Sequence, residues 1–202
     1  GVVYLLSDSL DELLLIGGAL AFGLPIPLSA LQILFVNFFS DSFPAIALAF
    51  EQGVDGLGGR PRRLHKNLFD REVKFLILGI GTITSALLFV LYALLLRFGF
   101  AEDIVHTFIF AAFSTYTLFL VFSVRSLEKS IFHYNPFSNP YLVAGVSIGL
   151  VLTGIVVYVP FWQDVFKTVS LPAPWLFAVI GVGALNIAAV EFGKWLFRKK
   201  IL

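Results

Sequence analysis

Four carboxylates stand in two stretches that are otherwise apolar enough to cross a bilayer: Asp8, Asp11 and Glu12 in the first, Asp41 in the second. On insertion scales each costs roughly 2.5–3.5 kcal/mol at bilayer depth, so such residues usually have a task. Asp8 and Glu12 are four apart, and Ser9 and Glu12 three apart, which puts them on one face of a helix. Asp11 points about 100° away from Glu12. In the second stretch Asn37 and Asp41 are again four apart, with Ser40 beside Asp41. Pro44 has no N–H to give the Ser40 carbonyl, and its ring crowds that carbonyl. An interruption near Asp41 and Pro44 is therefore expected, with carbonyls at 40 and 41 open to serve as ligands.

These groups offer carboxylate, amide and hydroxyl oxygens, with no sulfur and no imidazole. That donor set suits hard cations such as Ca²⁺, Na⁺, K⁺ or Mg²⁺ and argues against copper or zinc. The bland alternative is interhelical hydrogen bonding that glues spans together, which would suffice for Ser9 or Ser40 alone. Two carboxylates, an amide and a proline on facing segments favour ion binding.

The elements that must position these groups are membrane helices. Of 202 residues, 58% are hydrophobic and only 13% charged, and the mean hydropathy is +0.92. A soluble domain of this length needs more charge to cover its surface. A helix needs about 20 apolar residues to cross the hydrocarbon, and the chain offers six such stretches, at about 1–22, 28–50, 75–98, 104–124, 141–159 and 176–195. The expected fold is all-α, a polytopic bundle of six transmembrane helices. Gly23, Pro25 and Pro27 make the first turn tight, so the first two spans are antiparallel neighbours.

Lysine and arginine orient the bundle, because cytoplasmic loops retain them. With six spans, Arg60, Arg62, Arg63, Lys66, Arg71, Lys74, Arg125, Lys129, Lys194, Arg198, Lys199 and Lys200 share one side, and only Arg97 and Lys167 fall on the other. Both ends of the chain are thus expected in the cytoplasm, in an integral protein of the plasma (inner) membrane. This bias also explains the basic cluster at 60–74 without a nucleic-acid partner; membrane lipid is the partner expected. Trp162, Trp175 and Trp195 fall near span ends, as interfacial anchors do. The histidines, His65, His106 and His133, are too scattered to suggest a metal cluster. Asn186 is expected to hydrogen-bond between helices and Glu191 to lie at the membrane interface. There is no cysteine, which excludes disulfides, and no methionine, so the chain is read as a piece of a longer protein.

The segment "PLSALQILFVNFFSDSFPAIALAFE" resembles the sixth membrane helix of P-type cation pumps, in particular the calcium-pump branch, through Gln32, Val36, Asn37, Asp41, Pro44, Ala45, Ala47, Leu48 and Phe50. "YLLSDSLDELLLIGGALAFGLPIPL" resembles the fifth helix and its turn, "GGRPRR" the loop after the sixth helix, and "FSVRSLEKSIF" the end of the eighth. The resemblance is strong over residues 1–63; beyond them it rests on span count and spacing. It implies the membrane domain, over 1–202, of an ATP-driven pump of which this is the last six of ten spans. Glu12, Asn37, Ser40 and Asp41 match ion-binding positions, with Asp41 shared between sites. Ser9 stands where the calcium pumps have Asn, and Thr117 where the eighth helix has Glu or Gln. Both departures weaken the first of the family's two calcium sites, so one intact site is expected.

The transported cation implied is Ca²⁺. ATP and Mg²⁺ would act only through cytoplasmic domains outside this chain, since it holds no Asp-Lys-Thr-Gly phosphorylation motif and no phosphate-cradling loop. The partners implied are the upstream spans and those domains. A sodium, potassium or proton pump is the nearest alternative. A stand-alone membrane scaffold or partner subunit, and a secondary transporter coupled through Asp8 and Glu12, are two others. The last predicts inverted repeats, and none is visible between the two halves.

Overall fold

The structure, a computed structural model, describes residues 2–49, 82–124 and 135–198. The first helix, α1, spans Val2–Ala21. It ends where Gly23 takes a left-handed conformation (φ +65°), with the Leu24 N–H on the Ala19 carbonyl and the Gly23 N–H on that of Leu20. This is the Schellman closure, which needs a residue without Cβ strain at that point.

The chain then turns through 24–29 into α2, Ala30–Phe35. Ser29 caps it: its hydroxyl accepts from the Gln32 N–H, and the Gln32 side chain accepts from the Ser29 N–H. Gln32 also donates to the Phe166 carbonyl at 3.1 Å, fixing this end of the helix to the end of a short helix far along the chain.

The interruption of this span differs from the one expected. A π-helical segment runs over Val36–Asp41, and α3, Ser42–Ala49, continues through Pro44. The distortion thus lies upstream of the proline rather than at it. A widened turn lodges one extra residue and moves aside the carbonyls that the proline ring would strike. The Ser42 hydroxyl donates to the Asn37 carbonyl at 2.8 Å, so a side chain meets a carbonyl that the distortion exposes.

The remaining helices are α4, Thr82–Arg97; α5, Glu102–Val124; α6, Pro140–Tyr158; α7, Pro160–Phe166; and α8, Ala173–Arg198. Gly99 (φ +80°) closes α4 as Gly23 closes α1. Asn139 caps α6 through the Leu142 N–H, with Pro140 in the first turn where no N–H is needed. Short α7 lies in what reads as a connecting loop; it ends at Lys167 in the left-handed region (φ 57°).

Helix α5 is the axis of the bundle. Its residues from Thr107 to Leu118 are all buried, and it packs against α8, α6, α4, α1 and the π segment. Gly149 on α6 makes the α5–α6 approach close, since a Cβ there would lie 2.6 Å from Leu118 Cδ2. Many large apolar side chains on the outer helices are exposed, as for helices facing lipid or further spans.

Among the described residues, four stretches are long and apolar enough to cross a membrane: Ala30–Ala47, Glu102–Ser123, Pro140–Tyr158 and Ala173–Leu196. Helix α1 is long enough but carries three carboxylates. Of the third expected span only Thr82–Arg97 is described.

Candidate cation-binding site in the membrane

Asn37 and Glu12 meet. The Asn37 Nδ2 donates to Glu12 Oε1 at 2.9 Å and to the Ile33 carbonyl at 3.0 Å. Both partners can only accept, which fixes the orientation of the amide. With both N–H bonds committed, the group's remaining function is its oxygen, an acceptor. The contact joins α1 to the π segment across the tight turn.

Ser40 and Asp41 close the π segment, and both are buried, at 0% and 2% exposure. The π turn matters for their placement. One extra residue between Asn37 and Asp41 advances the later side chains by about 100° relative to an unbroken α-helix. Ser40 Oγ lies 2.7 Å from Ser114 Oγ on α5, and Ser114 Oγ lies 2.8 Å from Thr153 Oγ1 on α6. The Thr153 hydroxyl donates to the Gly149 carbonyl at 2.8 Å, one turn earlier on α6.

The other expected site residues fall as follows. Ser9 is on an exposed part of α1. Asp8 belongs to α1, but its side chain is outside the described ones. Thr117 is fully buried on α5, one turn beyond Ser114. The Ser114 hydroxyl meets Ser40.

Three polar contacts were not anticipated. Asp11 is buried, and its two carboxylate oxygens accept from the Ser85 hydroxyl on α4 and the Tyr116 hydroxyl on α5. Glu191 and Lys194 are both buried on α8. Their ion pair is 2.6 Å long, and Lys194 also donates to the Ser123 carbonyl on α5 at 2.8 Å. A lysine with its head enclosed needs such partners, and one turn of helix brings them together. His106 is the third: its Nε2 lies 3.1 Å from the Tyr92 hydroxyl and 3.7 Å from a Glu102 oxygen. Tyr92 in turn donates to the Pro25 carbonyl at 2.7 Å, tying α4 to the α1–α2 turn.

Among the described residues no three His, Cys, Asp or Glu gather as a metal-ligand group. What the structure brings together is the Glu12 carboxylate and the Asn37 amide, with Ser40 and Asp41 buried at the end of the π segment; carboxylate, amide and hydroxyl oxygens are donors of the kind hard cations accept.

Residues 25–196 match the family model described as cation transporting ATPase, C-terminus. The chain belongs to this family. As a cation-ATPase C-terminal segment it has relatives along nearly its whole length. It is 34% identical to the calcium-transporting ATPase of Bacillus subtilis (strain 168), over 98% of this chain and 22% of the relative. It is 27% identical to calcium-transporting ATPase 1 of Saccharomyces cerevisiae, over 98% of this chain and 21% of that protein. It is 31% identical to calcium-transporting ATPase type 2C member 2 of Mus musculus, over 91% of this chain and 20% of the relative. The chain thus spans about a fifth of the length of these relatives. The segment is the membrane domain of a calcium-pump-like P-type ATPase and an integral membrane protein.

Proposed function

We propose that this segment holds the cation site of an ATP-driven calcium pump, with Glu12, Asn37, Ser40 and Asp41 as the ligand-bearing residues. The observation that carries this reading is the 2.9 Å bond from Asn37 to Glu12. It brings the acid of one helix and the amide of the next together beside a π turn that ends in a buried serine and aspartate. π turns inside helices recur at functional sites because they free backbone and re-aim side chains. The calcium-transporting relatives support Ca²⁺ as the ion. Ser9, Asp8 and Thr117 are secondary candidates whose side chains would join when neighbouring spans move.

The whole chain, 1–202, acts in this reading as one membrane unit of six spans, with both ends on the cytoplasmic side of the plasma membrane. ATP and Mg²⁺ work through domains elsewhere in the full-length protein, as do the partner spans that complete the coordination shell. Transport follows from tilting α1 against the π segment, which draws Glu12 away from Asn37 and Asp41. In the full-length pump, Asp41→Asn is expected to abolish Ca²⁺-dependent phosphorylation by ATP. Unchanged Ca²⁺ dependence in that variant would refute the assignment.

A further inference from the structure

Hydrogen counting assigns a direction to the row of hydroxyls that leads away from the candidate site. A carbonyl can only accept, so the bond at Gly149 takes the single proton of the Thr153 hydroxyl. Thr153 Oγ1 must then accept in its 2.8 Å contact with Ser114, which takes the Ser114 proton. Ser114 Oγ must accept in turn at 2.7 Å, which takes the proton of Ser40. All three hydroxyls are buried, so water does not reorder them.

From this we infer that Ser114 and Thr153 are positioning residues that commit the Ser40 proton and leave its oxygen only lone pairs for any other contact. Whatever else the Ser40 oxygen meets, it meets through lone pairs. The row runs from the π segment through α5 to α6 and is anchored on a backbone carbonyl that cannot reverse. Its effect is electrostatic as well as geometric. Each hydroxyl dipole points its positive end away from Ser40, so the row leaves the negative end toward the π segment and favours a cation there. Without the row, the Ser40 proton would be free to turn toward the π segment, and a cation there would have to displace it. The inference rests on the reading of Ser40 and Asp41 as cation ligands.

The test is equilibrium binding of radioactive Ca²⁺ to the detergent-solubilised full-length pump, with thermal stability recorded for each variant. Ser40→Ala, Ser114→Ala and Thr153→Val should each raise the Kd, by about 3–10-fold for the first two, the equivalent of one hydrogen bond. Thr153→Val should act more weakly, and Thr153→Ser, which keeps the hydroxyl, should restore the affinity without changing the melting temperature in step. Where Ser114→Ala fails to accumulate, the contrast between Thr153→Val and Thr153→Ser decides. If Ser40→Ala weakens binding and neither Ser114→Ala nor Thr153→Val does, the row has no role and the inference falls while the site reading stands. If Ser40→Ala itself leaves binding unchanged, Ser40 is not a ligand and both fall.

Discussion

The Asn37 amide and the Glu12 carboxylate are 2.9 Å apart and lie on consecutive helices joined by a glycine-closed turn. Their bond links directly the two elements that carry the candidate ligands. Hydrogen bonds to a charged group contribute about 1.5–3 kcal/mol. A double-mutant cycle on Glu12→Gln and Asn37→Ala should therefore show coupling of about 1–2 kcal/mol in Ca²⁺ affinity. Additive effects in that cycle would mean that the two residues act separately.

The π segment makes a sharper prediction. Phe38 is 58% exposed and sits within it, so its loss removes ring contacts with Phe39 and Phe43 but no buried side chain. Deleting Phe38 should let Val36–Asp41 relax to an ordinary α-helix and rotate Asn37 against Asp41 by about 100°. The full-length protein should still reach the membrane, but its Ca²⁺-dependent phosphorylation should disappear. Replacing Phe38 by Leu, which keeps the residue count, should leave phosphorylation near normal.

Asp11 is predicted to stabilise the bundle rather than to bind the ion. Its carboxylate ties α1 to α4 and α5 through Ser85 and Tyr116. Tyr116→Phe strips a donor from a buried acid, which costs about 1–3 kcal/mol. It should lower the melting temperature of the solubilised protein more than Asp11→Asn, which removes the charge that needs the donor. Ca²⁺ affinity should change little in Tyr116→Phe. The reverse order of melting temperatures would show that Asp11 is not held as the contacts suggest.

The Glu191–Lys194 pair follows the logic of buried ions. Removing one partner leaves an enclosed charge, at a cost of about 3–5 kcal/mol, whereas replacing both with apolar residues is often close to neutral. Lys194→Met alone should reduce the amount of folded protein in detergent, measured by fluorescence-detected chromatography. The double variant Glu191→Leu with Lys194→Met should recover most of it. A double variant as poor as the single would contradict a charge-based cause.

Much of the scaffold is legible in the residues. The Gly-Leu-Pro turn and the span limits near Glu102 and Pro140 follow from local chemistry, and the shortness of the turn makes the segments bearing Glu12 and Asn37 antiparallel neighbours. The π turn is not legible, because it shifts the helical register by one residue without changing composition. Pro44 marked the right span but the wrong place, since the backbone absorbed the strain one turn earlier. Ser114 and Thr153 are single hydroxyls in apolar helices, and only the packing of α5 against α6 and the π segment gives them partners. The acid at 11 was visible, but its partners lie 74 and 105 residues away. Lys194 was counted among the basic residues that orient the chain, and counting charges says nothing about which one a neighbouring helix encloses.

The most direct test is to see the ion. A structure of the full-length pump in Ca²⁺ should show density bonded to oxygens of Asp41, Asn37 and Glu12 at about 2.3–2.6 Å, with the Ser40 hydroxyl oxygen turned toward it. A bound Ca²⁺ elsewhere in the membrane domain, with Glu12 and Asp41 taking no part in its coordination, would contradict the account.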